Sequence, residues 1–147
     1  AWEARYSLDP TRNDAALDVD GDGITNAQEL ANGTHPNATF ARYLAEGAQS
    51  DFFSHRLALV NAGPTPVTAV VRAFTAGGEI ARREVVVEAQ RRVTIDAATQ
   101  PELVGEAFGS EIEAAAPLVV ERTMKWNGTG YGSHSEAATA SAAPRWY

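Results

Sequence analysis

The chain contains no cysteine, so neither a disulfide framework nor a thiolate zinc site can hold it together. No apolar run approaches the roughly 20 residues that a membrane-spanning helix requires. Positive charge is also scarce: 12 Lys and Arg stand against 19 Asp and Glu, a net charge of −7. A nucleic-acid footprint needs a basic face, and none is present. No glycine-rich nucleotide loop occurs. His55 follows Ser54, and His134 lies between Ser133 and Ser135 with Glu136 nearby. Catalytic triads are defined by geometry and not by adjacency, so these residues read as surface polar groups and the chain reads as no enzyme.

What the chain does have is Asp18-Val19-Asp20-Gly21-Asp22-Gly23-Ile24-Thr25-Asn26-Ala27-Gln28-Glu29. A calcium ion takes six to eight oxygens at roughly 2.3–2.6 Å from a loop that curls around it. Asp18, Asp20 and Asp22 supply carboxylates at positions one, three and five. Gly23 provides the sharp turn at six, and the Ile24 carbonyl serves seven. Asn26 suits position nine, directly or through water, and Glu29 closes the set bidentately at twelve. Calcium is therefore the expected ion.

The surroundings of this loop differ from those of a sensor EF-hand. One loop is present, so the usual pairing has no partner within the chain. Asp9-Pro10 breaks any helix entering from the N-terminal side. A short helix leaves it, with Thr25 and Gln28 forming a capping box and Gly33 a stop. Groove opening needs two long helices, so the metal is expected to clip the structure together rather than to signal. A second metal site is left open.

Trp2-Glu3-Ala4-Arg5-Tyr6-Ser7-Leu8-Asp9-Pro10, the Asp-rich loop and Gly33-Thr34-His35-Pro36 together resemble the calcium-binding repeats of secreted bacterial proteins related to thrombospondin type 3 repeats. Those usually read Trp-Glu-x-Arg-Tyr-Gly-Leu-Asp-Pro and end in Gly-Thr-Asp-Pro. Ser7 replaces the glycine and His35 the aspartate. From about Ala41 the chain resembles a second family, the tandem β-sandwich modules with Trp-Tyr-x-Ala-Glu-Gly junctions of large secreted bacterial proteins. Arg42-Tyr43-Leu44-Ala45-Glu46-Gly47-Ala48, Leu57-Ala58-Leu59-Val60-Asn61, Val119-Val120-Glu121-Arg122 and Arg145-Trp146-Tyr147 carry that likeness. Together the resemblances imply a calcium-binding segment over residues 1–40 and an immunoglobulin-like antiparallel β-sandwich over 41–147.

Residue patterning agrees. Residues 1–40 carry seven acidic side chains against two arginines, a local balance of −5. Their apolar set is thin: Trp2, Tyr6, Leu8, Leu17, Ile24 and Leu30. The remainder reads as strands. Leu57 and Leu59 alternate with Arg56 and Ala58 before Asn61-Ala62-Gly63-Pro64 breaks the chain. Residues 67–74 run to a Gly77-Gly78 hairpin signal. Stretches 82–88 and 92–95 follow, with Val85, Val87, Val93 and Ile95 on one face. Stretches 108–113 and 118–126 are expected to pair through a turn near Pro117. Short strands at this spacing argue for a sandwich. In the last stretch Arg122 shares a face with Leu118, Val120, Met124 and Trp126, so it needs a carboxylate partner.

Function is read from the same features. A single loop binds weakly, in the roughly 10⁻⁴–10⁻³ M range of extracellular modules, which favours a secreted or cell-surface location. The expected role is structural, as a unit of an adhesin array or fibre whose copies associate head to tail through the Trp146 end. The alternative is a carbohydrate-binding accessory module, with Trp126 and Tyr131 in a glycine-rich loop stacking on surface glycans. Asn32, Asn37 and Asn127 stand in Asn-x-Thr sequons, which are glycan acceptors only in a host that uses them.

Overall fold

A computed structural model of the chain describes residues 2–126 and 132–141. Two short helices precede eight strands: α1 (Trp2–Arg5) and α2 (Asn26–Asn32), then β1 (Phe40–Leu44), β2 (Phe53–Asn61), β3 (Val67–Thr75), β4 (Gly78–Val87), β5 (Arg91–Asp96), β6 (Gly109–Ala114), β7 (Val119–Trp126) and β8 (Gly132–Ala137). Two 3-10 turns, Ala97–Thr99 and Pro101–Leu103, lie between β5 and β6. The strands form two antiparallel sheets, ordered β1-β6-β3-β4 and β5-β2-β7-β8. This is the β-sandwich that the alternating patterns imply, with β1 starting one residue before the expected boundary.

Alternation decides which face of each strand is buried. Leu57 and Leu59 of β2 meet Val67 and Ala69 of β3, Val85 and Val87 of β4, Ile112 of β6 and Val120 of β7 in one core. Of the connections between these strands, β3–β4 and β7–β8 stay within a sheet and the others cross the core. The expected pairing of β6 with β7 is therefore corrected. Pro117 sits in a crossover, β6 pairs with β1 and β3, and β7 pairs with β2 and β8. Both strands alternate, but alternation does not encode which neighbour a strand takes. Val85 and Val93 likewise face one core from opposite sheets.

Polar residues fix the turns and one edge. Asn61 is buried, donates to the carbonyls of Thr65 (2.7 Å) and Val87 (2.9 Å), and accepts from the Gly63 amide. At one edge, reciprocal backbone bonds between Tyr43 and Thr139 (2.9 and 3.0 Å) tie β1 to the segment after β8. The opposite edge, flanked by β4 and β5, has a cavity of about 310 Å³ beneath the 3-10 turns, walled by Leu57, Val71, Ile95, Leu103 and Phe108.

Arg122 is 2% exposed and has the carboxylate partner its position demands, Glu136 on β8 at 2.5 Å. It also donates to the Glu46 carbonyl and lies 3.3 Å from His134 Nδ1. His55 faces inward against Phe108, ring centroids 5.0 Å apart. Burial, and then the charge of Arg122, push its pKa down to about 4, so His55 is a neutral core residue. The loop after Trp126 and Arg145-Trp146-Tyr147 lie outside the described residues.

The thin apolar set of residues 1–40 does little to hold the segment, as its size implied. Leu17 and Leu30 are 46% and 54% exposed, and of that set Tyr6 alone is buried. The segment instead lies on the outer face of the β1-β6-β3-β4 sheet, fastened by polar contacts. Tyr6 Oη donates to Glu84 (2.9 Å), Arg5 pairs with Glu84 (2.7 Å), and Thr68 Oγ1 donates to the Arg5 carbonyl. Arg82 reaches over Gly33 to the Asn32 carbonyl. Val70 points to this outer face, yet it is 99% covered.

The two departures from the calcium-repeat pattern acquire physical meanings here. Ser7 follows α1 at φ 60°, a left-handed conformation that costs a non-glycine residue roughly 1 kcal/mol and that glycine adopts freely. His35 is buried, approaches the Thr68 carbonyl through Nε2 (3.3 Å), accepts from the Asn37 amide at Nδ1 (3.2 Å), and packs edge-on against Tyr6. It is an anchor to the sheet. Replacing Ser7 with glycine should raise stability by about 0.5–1 kcal/mol in urea unfolding; a loss of stability would show that Ser7 is not strained.

Candidate metal centre

The Asp-rich loop is shaped by its own carboxylates before any ion is considered. Asp18 accepts from the amides of Gly21 (2.7 Å) and Gly23 (2.9 Å), and Asp22 from that of Ile24 (2.8 Å). Gly21 and Gly23 stand at φ 82° and 93°, conformations open to glycine and strained for other residues. The loop is closed from outside as well. Backbone bonds run from Asn26 to the Leu17 carbonyl (2.8 Å) and from Ala27 to that of Ala15 (2.9 Å).

The helix that follows is built as its sequence indicates. Thr25 caps α2, with Gln28 returning the bond at 2.9 Å, and Gly33 ends it at φ 68°. Seven residues make two turns, enough to carry Asn26 and Glu29 inward on one face. Both are buried, 2% and 1% exposed. Asn26 Nδ2 donates to the Asp14 carbonyl (3.0 Å), while its Oδ1 is buried with no hydrogen-bond partner. Glu29 Oε2 is in the same condition.

Of the six residues expected to bind metal, Asp18, Asp20 and Asp22 each bring one oxygen within 4.8 Å of the others. That separation is about twice a calcium–oxygen distance, so the three can share one ion. Asn26 and Glu29 supply unpartnered oxygens from the helix side, and Ile24 occupies the bend between them. The donor set is entirely hard oxygen, which suits calcium or magnesium and not a soft metal. Glu29 lies outside the tight trio but inside its field. Burial, then Asp20, then Asp22 raise its pKa from 4.5 to about 7.

The loop is tied to the stretch that leads into β1, and that stretch to the sandwich. Asp20 Oδ2 accepts from the Ala38 amide (2.7 Å), and Thr39 Oγ1 donates to the Ala115 carbonyl at the end of β6 (2.9 Å). Sequence reasoning missed these ties, and it missed Glu113 of β6, whose carboxylate faces the same region. Glu113 Oε2 is buried without a partner. Its pKa is raised to about 7 by burial first and then by Glu111, with Asp22 adding to the effect.

The sequence matches no protein-family model and no curated protein. In three dimensions the chain is similar to the crystal structure of Thermotoga maritima 1070, at a TM-score of 0.63 and 11% identity, over 71% of this chain and 97% of that one. It is also similar to the Anabaena sensory rhodopsin transducer, at a TM-score of 0.47 and 17% identity, over 56% of this chain and 92% of that one. The likeness to the Thermotoga protein is one of fold.

Glu29 makes metal-free stability depend on pH in a defined direction. Between 4.5 and about 7 the folded state keeps a proton that the unfolded chain has released, so stability falls as pH rises through that window. His55, neutral in the fold, contributes the opposite slope between its folded value of about 4 and the usual 6.5. Comparing variants in chelator removes this overlap. Glu29→Gln should match the wild type below pH 4.5 and exceed it at pH 8, by up to about 3 kcal/mol. A difference in urea unfolding that does not change with pH would refute the assignment.

Proposed function

We propose that this chain is a non-enzymatic, secreted or cell-surface structural module in which one calcium ion clips the N-terminal segment to a β-sandwich. The observation that carries the reading is the pair of buried, unpartnered oxygens, Asn26 Oδ1 and Glu29 Oε2, beside three clustered aspartates. A buried acceptor left without a donor costs about 1–3 kcal/mol, more when charged. A cation at the loop removes that cost for both groups and neutralises the aspartates together. Asp18, Asp20, Asp22, Asn26 and Glu29 would hold it through side chains, and Ile24 through its carbonyl.

The ion's work is cohesion. Residues 2–39 place few apolar side chains against the sheet, and ordering a backbone costs roughly 1–2 kcal/mol per residue. The calcium links the start of the loop to α2, and α2 to the sheet through Asn32 and Gly33. A rigid, calcium-set unit of this kind suits repetition in an extracellular fibre or adhesin array, where millimolar calcium keeps a weak site filled. A carbohydrate-binding role would rest on the loop after Trp126, which lies outside the described residues, and no other feature favours it.

Calcium should raise the melting temperature, with a dissociation constant on the order of 10⁻⁴–10⁻³ M. Magnesium, which demands tighter octahedral geometry, should be a poor substitute. Chelation should increase hydrogen exchange across residues 2–39 and leave β2, β3, β6 and β7 protected, and Asp22→Asn should reproduce it. Equal protection with and without calcium would sink the reading. For the array, calcium-dependent growth of particle mass in analytical ultracentrifugation is expected; a monomer at high concentration with calcium present would exclude self-assembly.

A further inference from the structure

Glu113 has no place in the loop's ligand pattern, and its carboxylate meets the His35 backbone. It stands on the outward-facing side of β6, in register with Val70 of β3 and Ala41 of β1. A glutamate there would ordinarily extend into water. Here the N-terminal segment covers the sheet, and Glu113 Oε2 is buried with nothing to accept from.

Arg72 offsets its charge only in part. That guanidinium is engaged by Glu79 (2.9 Å) and Glu111 (3.0 Å), and no ion pair involves Glu113 among the described residues. On the other side stands the acidic loop, held in place by short ties. Asp20 binds the Ala38 amide, Phe40 pairs with Ala114, and Thr39 binds the Ala115 carbonyl. Asp22 and Glu29 both act on Glu113 as like charges or are acted on by it.

This is an arrangement that a folded chain avoids unless something compensates. Glu113, with one carboxylate oxygen buried, stands within the field of Asp22 and of Glu29, a second buried carboxylate. Without a cation each negative group raises the energy of the others. A divalent cation in the loop offsets part of that repulsion, and Glu113, a fixed negative charge beside the loop, adds to the attraction the ion feels. Burial lowers the effective dielectric and limits screening by salt.

We propose that Glu113, contributed by the sandwich and not by the loop, is a positioning charge of the metal centre, making cation binding and docking of the N-terminal segment onto the sheet a single coupled event. This rests on the calcium reading above and adds to it: the loop's affinity belongs partly to the β-sheet beneath it. Excised from the sandwich, the same twelve residues lose that contribution.

The test is calcium titration by calorimetry, paired with thermal unfolding in chelator, on the full chain and on Glu113→Gln. Glu121→Gln, an exposed carboxylate on the other sheet, controls for net charge. Glu113→Gln should weaken calcium binding by about 3- to 10-fold and, in chelator, raise the melting temperature. Glu121→Gln should do neither. Opposite signs in the two measurements are the signature, because a residue with a merely structural role would lower stability in chelator as well. Unchanged calcium affinity in Glu113→Gln, with the wild type binding normally, would overturn the coupling and leave the calcium site standing. A variant less stable in chelator would overturn it too. A wild type that does not bind calcium would remove both.

Discussion

Carboxylates that cannot escape one another are the constraint on which this molecule turns. Asp18, Asp20 and Asp22 are drawn together by the loop's own amides, Glu29 is brought in by two turns of helix, and Glu113 is supplied from below by β6. Among the described residues none forms an ion pair with an arginine. Yet the chain places arginines generously elsewhere on the same sheet: Arg5 on Glu84, Arg72 between Glu79 and Glu111, Arg82 on Glu79. Leaving the loop uncompensated while the neighbouring carboxylates are matched makes little sense for a bare protein. It is consistent with the proposal that a cation from solution supplies the missing positive charge.

The loop itself was legible because its information is local. Ligand positions recur at fixed offsets along twelve residues, and the cap and stop of α2 are each contained within four. The strand interiors were legible for the same reason, since Leu57 and Leu59 or Val85 and Val87 declare their shared face by spacing alone. Partner choice was not, and β6 was matched to β7 because adjacency in sequence stood in for adjacency in space. Two strands were missed outright. β8 is made of Gly132, serines, a histidine, Glu136 and Ala137, with no apolar face to announce it; it is held by backbone pairing to β7 and by Arg122. β1 was hidden in the Arg-Tyr-Leu-Ala-Glu-Gly resemblance.

The interface between segment and sheet was the least legible feature, although one signal was available. Ala69 and Val70 are consecutive and both fully buried, which a half-exposed strand does not allow. An apolar residue out of phase in β3 was evidence that the outer face is covered. His35 could be read only as a departure from an aspartate. Its use as an anchor depends on contacts distant in sequence, with Tyr6 and with Thr68, the latter 33 residues away. The same holds for Glu113, which alternation assigns to water and tertiary structure takes out of it.

The two long edges of the sandwich are finished differently. One is bridged by the reciprocal bonds between Tyr43 and Thr139. The other leaves about 310 Å³ between the sheets, walled by apolar side chains and bordered by Gln100 and Glu102. Interiors resist compression because they are close-packed, and a void is where that resistance fails. Hydrostatic pressure acts on such volumes, favouring states in which water fills them. A second hollow of about 490 Å³, bordered by Tyr43, Leu44, Glu136 and Thr139, lies at the edge next to β1, so pressure should drive water in at both edges rather than at one.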